Sequence, residues 1–186
     1  MSQLVFHDIK RSKTYKKQTK TLYQKAFPAE ERLPFTILRR LARHDNAEFL
    51  CIYDGETFVG LLYNIHFQDI VYIFYFAIDE TMRNGGYGSK VLHAIKEKYK
   101  NSRLVLAIEP IDCESENYKQ RVRRKEFYKR NGFCDLPFTI QEGKVVYDML
   151  YFSKTADKVT VEEYHQMMRD YLGKFLYHVY YKEKIK

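Results

Sequence analysis

Ile70-Val71-Tyr72-Ile73-Phe74-Tyr75-Phe76-Ala77-Ile78 runs without a break into Asp79-Glu80-Thr81-Met82-Arg83-Asn84-Gly85-Gly86-Tyr87-Gly88-Ser89. The first segment is apolar at nearly every position, the pattern of a strand inside a sheet with both faces covered. Gly85, Gly86 and Gly88 of the second segment then open a stretch, Ser89–Lys100, in which Val91, Leu92, Ile95 and Tyr99 share one helical face. Where a strand turns into a helix through glycines, backbone N–H groups converge on an anion. Glycine accepts positive φ and has no Cβ to keep ligand oxygens away, and the helix start adds about half a positive charge. A plain turn is the competing reading. Two familiar phosphate loops are excluded by spacing. No Gly, four residues, Gly-Lys-Ser/Thr string is present, and the third glycine of a dinucleotide fingerprint would fall at Val91.

Outward from this segment, Leu4–Ile9 reads as a strand and Ser12–Phe27 as a helix with Tyr15, Thr19, Leu22, Tyr23 and Ala26 on one side. Pro34 suits the first position of a short helix to Arg43, with Ile37, Leu38 and Leu41 inward. Strands at Glu48–Tyr53 and Phe58–His66, with turns at Asp54-Gly55 and near Gln68-Asp69, lead into the quoted strand as an antiparallel meander. Beyond the glycines come a buried strand, Arg103–Ile108, stopped by Pro110, and a basic helix, Ser115–Arg130, closed by Asn131-Gly132. Strands near Phe138–Gln141 and Val145–Phe152 follow, joined at Glu142-Gly143. Thr160 and Glu163 form a capping box for a last helix with Val161, Tyr164, Met168, Tyr171, Phe175 and Val179 on one side. The fold class is α+β in α/β/α layers, a mixed, mostly antiparallel central sheet with helices on both faces. One domain is expected over residues 1–186, with 159–186 as a helical extension.

The chain has 186 residues, 45% of them apolar and 30% charged, as one globular domain requires. Its longest apolar run is about half of the roughly 20 residues that cross a bilayer, and Met1–Lys13 lacks the apolar core of a secretory signal. A cytoplasmic protein with no membrane partner is expected. Cys51, Cys113 and Cys134 show no metal or redox spacing and read as reduced and structural, so no metal is expected. The six histidines show no ligand spacing and receive no role. A formal net charge of +8 favours anionic partners.

Arg83-x-x-Gly86-x-Gly88, five residues after the strand-ending Ile78, resembles the acyl-CoA pyrophosphate loop of the GNAT N-acetyltransferases. Phe127-Tyr128-Lys129-Arg130-Asn131-Gly132-Phe133 is similar to the end of that family's fourth helix. The likeness is firmest from Glu48 to Phe133. It implies that amides of Arg83, Asn84, Gly85, Gly86, Tyr87, Gly88 and Ser89 hold the pyrophosphate of acetyl-CoA. It also implies that the main chain of Phe76, Ala77 and Ile78 pairs with pantetheine, and that Tyr128 protonates the departing thiolate. A phenol of ordinary pKa, about 10, sits about 1.5 units above a model thiol, a cost near 2 kcal/mol. Many family members carry Asn seven residues before this tyrosine, where Arg121 stands here; the nearby asparagine is Asn117. Asn117, Arg121, Arg124 and Tyr128 share one helical face. The expectation is that Asn117 and Arg121 reach the cofactor, with Arg121 on a phosphate; solvated basic residues are the alternative.

Transfer to an ammonium also needs a base. Glu109, at the end of the buried strand, is the first candidate, with a pKa raised by desolvation; Asp79, Glu30 and Glu31 are substitutes. The activity implied is acetyl transfer from acetyl-CoA to a primary amine of a small molecule or peptide, by direct attack in a ternary complex. One alternative is a basic nucleic-acid or ribosome-binding module built on Arg121, Arg123, Arg124, Lys125, Lys129 and Arg130. Another is a CoA-binding member without turnover. The last helix either covers the sheet or pairs two subunits as a homodimer.

Overall fold

The computed structural model describes residues 4–142, 145–155 and 157–181, apart from the side chains of Glu30 and Tyr180. Among the described residues there are seven strands: β1 (Leu4–Asp8), β2 (Ala47–Asp54), β3 (Thr57–Phe67), β4 (Ile70–Ile78), β5 (Arg103–Ile108), β6 (Cys134–Glu142) and β7 (Val145–Phe152). They form one mixed, mostly antiparallel sheet in the order β1-β2-β3-β4-β5-β7-β6. Five α-helices accompany them among the described residues: α1 (Lys13–Ala26), α2 (Phe35–Leu41), α3 (Tyr87–Lys98), α4 (Tyr118–Arg130) and α5 (Val161–Tyr180). The expected α+β class is therefore observed. The chain divides into two units, Met1–Ile65 with Ile73–Lys98, and His66–Tyr72 with Tyr99–Lys186. No helix among the described residues is long and apolar enough to cross a membrane.

In the first unit, β1 and β3 flank β2 antiparallel, with Leu4 opposite Asp54 and Ile52 opposite Gly60. The Ser12 hydroxyl caps α1 by accepting from the Thr14 amide at 3.1 Å. Of the expected inward stripe of α1, Thr19, Leu22 and Tyr23 are buried. Tyr15 instead stacks on His7, with ring centroids 4.8 Å apart. Two phenols secure the connection from α1 to α2. Tyr23 donates to the Leu33 carbonyl at 2.9 Å, while Tyr75 donates to the Glu31 carbonyl at 3.0 Å and accepts from the Leu33 amide at 3.2 Å. Phe49, Val59, Leu61, Tyr63, Val91 and Leu92 are essentially inaccessible and form the centre of this core. A Cβ at Gly60 would overlap the Ala77 carbonyl oxygen, so only glycine lets β3 approach β4 there.

In the second unit, β7 lies between β5 and β6, antiparallel to both. β6 starts at Cys134, earlier than the pattern predicts, and an irregularity between Asp135 and Thr139 interrupts the alternation that would have revealed it. The Glu142-Gly143 turn lies partly outside the described residues. α4 begins at Tyr118 rather than Ser115. The reason is local: the Ser115 hydroxyl and amide both donate to the Asp112 carbonyl, at 2.6 and 3.2 Å, and hold a tight turn before the helix.

The capping box of α5 is present. The Glu163 amide donates to Thr160 Oγ1 at 3.2 Å, and the Thr160 amide donates to Glu163 Oε2 at 2.8 Å. The continuous stripe expected along α5 is not observed, because the helix breaks at Gly173, whose φ of 73° and ψ of 160° are open only to glycine. The break resets the helical phase. Tyr164, Met167, Met168 and Tyr171 are buried before it and Tyr177 after it, whereas Phe175 is 79% exposed and Val179 53%. Arg103 ties the start of β5 to both neighbours. It holds Asp69 through two 2.7 Å bonds and Glu163 through bonds of 2.7 and 3.1 Å, and donates to the Lys158 carbonyl at 3.0 Å. Tyr164 meets Tyr72 edge to face at 5.6 Å, so α5 packs on the strands of its own unit.

Candidate functional site

Asp79, directly after β4, starts the turn that leads to the glycines. Its Oδ1 accepts from the Thr81 amide at 3.0 Å and the Thr81 hydroxyl at 2.7 Å. Those two bonds hold the Asp79 carboxyl below its usual pKa range. Lys25 of α1 does the same for Glu80 across a 2.6 Å ion pair. Neither carboxylate therefore has the raised affinity for protons that a base at neutral pH needs. Among the other substitutes, the Glu30 side chain lies outside the described residues.

The turn itself is the expected glycine loop. Asn84 has φ of 66° and Gly86 φ of 73°, two left-handed residues that bend the chain sharply before α3. Residues 83–86 are exposed. The Arg83 amide is engaged, donating to the Glu80 carbonyl at 3.3 Å, and the first bond of α3 runs from the Lys90 amide to the Gly86 carbonyl at 3.1 Å. Among the described residues, no backbone hydrogen bond uses the amides of Asn84, Gly85, Gly86, Tyr87 or Gly88. These amides, 84–88, lie within the expected run from Arg83 to Ser89 and do not span the whole of it. A Cβ at Gly86 would meet nothing within 4 Å, so it is the positive φ, rather than a protein neighbour, that demands glycine there. Tyr87 contributes a contact with no motif to announce it: its hydroxyl donates to Asp54 Oδ2 at 2.8 Å, fastening the loop to the end of β2.

In the second unit, the face shared by Asn117, Arg121 and Arg124 converges on Glu109. Asn117 Nδ2 and Arg121 Nη2 approach Glu109 Oε1 at 3.2 and 2.9 Å, and Arg124 Nη1 donates to Oε2 at 2.7 Å. Arg121 also donates to Asn117 Oδ1 at 2.6 Å and to the Pro110 carbonyl at 3.0 Å. Burial pushes the Glu109 pKa up, but the bonds from Arg124 and Asn117 and the two guanidinium charges outweigh it and leave it lowered. The expected raised pKa is overturned, and Arg121 spends its charge on a carboxylate of its own chain.

Tyr128 is the one buried residue of α4. Its ring lies 5.7 Å from that of Phe133 and 5.2 Å from that of Phe127, and burial pushes its phenol up to about 12. It is a weaker acid at rest than an ordinary tyrosine. The basic run of α4 is largely consumed within the chain. Lys125 pairs with Asp148 at 2.9 Å and Asp135 at 3.2 Å, Lys129 pairs with Asp135, and Arg130 lies 3.7 Å from Glu126. Of the three cysteines only Cys51 is buried, its thiol pushed up to about 11 by burial; Cys113 and Cys134 are exposed, which corrects the structural reading for those two.

The chain superposes on solved acetyltransferase structures. One, described as an acetyltransferase of the GNAT family from Bacteroides thetaiotaomicron, is 24% identical, with 93% of this chain and 98% of that chain covered at a TM-score of 0.74. An aminoglycoside 6'-N-acetyltransferase complexed with coenzyme A is 10% identical, with coverage of 83% and 99% and a TM-score of 0.62. A spermidine N-acetyltransferase from Vibrio cholerae, in complex with CoA and spermine, is 11% identical, with coverage of 81% and 95% and a TM-score of 0.59. No curated protein matches. The family model described as the acetyltransferase (GNAT) family matches residues 15–133, a span that takes in both the glycine loop and Tyr128, and the chain belongs to that family.

Proposed function

We propose that this protein transfers an acetyl group from acetyl-CoA to a primary amine of a small molecule or peptide, by direct attack in a ternary complex. The observation that carries the reading is the stretch 84–88, where amides without a backbone acceptor line an exposed turn and the first residues of α3. These amides suit a pyrophosphate, and the main chain of Phe76, Ala77 and Ile78 is the segment proposed to pair with pantetheine. In this reading Tyr128 supplies the proton to the departing thiolate. A pKa pushed up to about 12 keeps the phenol protonated at rest but makes donation costlier than from an ordinary tyrosine, so in this reading the proton moves only as thiolate charge develops opposite it. Glu109 is proposed to act through the Asn117, Arg121 and Arg124 groups that it holds, as a positioning residue, rather than to take the substrate's proton. Solved relatives complexed with CoA, and in one case with spermine, support an amine acceptor.

The lowered Glu109 and raised Tyr128 favour a second reading, CoA binding without turnover. The nucleic-acid alternative loses its main support, because most of the α4 cations already have acidic partners in the chain. Incubating the purified protein with acetyl-CoA and a panel of primary amines separates the readings. Transfer should be detected as free thiol release, and Tyr128→Phe should reduce it by about 10²-fold or more with little change in KM for acetyl-CoA. Thermal stabilisation by CoA with no thiol release in any amine would establish binding alone; absence of both would refute the proposal.

A further inference from the structure

In the first unit a cavity of about 410 Å³ opens where β1 passes into α1. Its charged lining is wholly basic. Lys10 and Arg11 come from the 3-10 turn Ile9–Arg11, Lys13 and Lys16 from the first turns of α1, Arg39 from α2, and Arg43 from just beyond it. Asp8, 3.6 Å from Lys10, is the one acid paired with any of the six among the described residues. This contrasts with α4, whose cations are matched by carboxylates. Like charges gathered around a concavity repel one another and concentrate a positive field inside it, a cost that an anionic occupant reverses.

We propose that this cavity binds a compact, multiply charged phosphate, such as a polyphosphate chain either free or carried by a nucleotide. Its volume falls in the range of small-molecule sites, but its walls differ from the usual apolar lining. Three guanidinium groups offer planar pairs of donors that match phosphate oxygens, and three ammonium groups add mobile point charges. Cations that approach from three separate elements enclose a compact ligand, whereas a strand of nucleic acid needs a continuous track. The site is separate from the glycine loop. The 14 residues of α1 rise about 20 Å between them, and Lys25, near the far end of that helix, makes the ion pair with Glu80 that precedes the loop.

The test is calorimetric titration with inorganic tripolyphosphate at about 50 mM and about 300 mM salt, with and without saturating CoA. Binding should persist in the presence of CoA and weaken by about tenfold or more at the higher salt. The triple variant Lys16→Gln, Arg39→Gln, Arg43→Gln should lose about tenfold or more in affinity while retaining the wild-type response to CoA. A second variant, Lys10→Gln with Lys13→Gln, alters the other wall through exposed side chains and should also bind more weakly. No heat in the wild type, binding abolished by CoA, or wild-type affinity in both variants would each overturn the proposal. Heat from single-stranded RNA with none from tripolyphosphate would overturn it in favour of a strand-binding surface.

Discussion

Arg124 Nη1 donates to Glu109 Oε2 at 2.7 Å, and that contact joins the helix expected to face the cofactor to the carboxylate expected to serve as base. With Arg121 2.9 Å from the other oxygen, the Glu109 carboxylate is a two-cation anchor between the end of β5 and α4. Its side chain is only 11% exposed, so these bonds are little screened.

Replacing Glu109 with Gln strands Arg121 and Arg124 opposite a neutral group. The loss in stability should be about 1–3 kcal/mol at pH 7, read from chemical denaturation. Because the folded pKa of Glu109 is lowered, its contribution is present above the unfolded value of about 4.3 and disappears as pH falls through the folded value. The gap between wild type and variant should therefore close in acid. In turnover assays the variant should keep the pKa of the acidic limb near neutrality. Loss of that limb would restore Glu109 as the proton acceptor.

Gly86 stands at φ 73° with no protein atom in reach of an added Cβ. Gly86→Ala should cost about 1 kcal/mol of stability from backbone strain alone. If a pyrophosphate occupies the turn, KM for acetyl-CoA should also rise by about tenfold or more, because the Cβ enters the ligand's space. A variant with unchanged KM would remove the anion from this bend.

Gly173 divides α5 with a backbone conformation that other residues avoid. Gly173→Ala should destabilise the protein by about 1–3 kcal/mol in thermal or chemical denaturation. An unchanged midpoint would show that the break carries no strain that alanine cannot meet.

Glu142 accepts from Tyr164 at 2.6 Å and Tyr181 at 2.7 Å, yet burial leaves its pKa raised despite those bonds. A raised folded pKa means that this group's contribution is full below the unfolded value, about 4.3, and is lost as pH rises through the folded value. Glu142→Gln keeps an oxygen to accept the phenol protons and cannot ionise. Its stability relative to wild type should therefore increase from pH 4 to pH 7, as followed by the unfolding midpoint. A constant difference would contradict the assignment.

Strand β4 and the bend after it were legible because each is local. Apolar residues over 70–78 require cover on both faces, and the spacing of Gly86 and Gly88 is visible without neighbours. The capping box at Thr160 and Glu163 was legible for the same reason. The break at Gly173 was not: an isolated glycine in a helical pattern is tolerated as often as it interrupts, and here the deciding factor is the inward placement of Tyr177 once the phase has been reset.

The amino-acid order alone thus set the strand and helix succession and the position of the glycine-bearing bend, since both depend on residues within a few positions of each other. The protonation of the candidate groups was decided by the tertiary structure. Glu109 acquired its low pKa from guanidinium groups twelve and fifteen residues away, and Tyr128 its high one from burial. Folding likewise sorted the basic residues, pairing those of α4 with Asp135 and Asp148 while leaving those around the β1–α1 cavity almost without counter-charge. Charge adds along a chain by simple count, but its effect depends on distance and dielectric, which only the packed molecule defines.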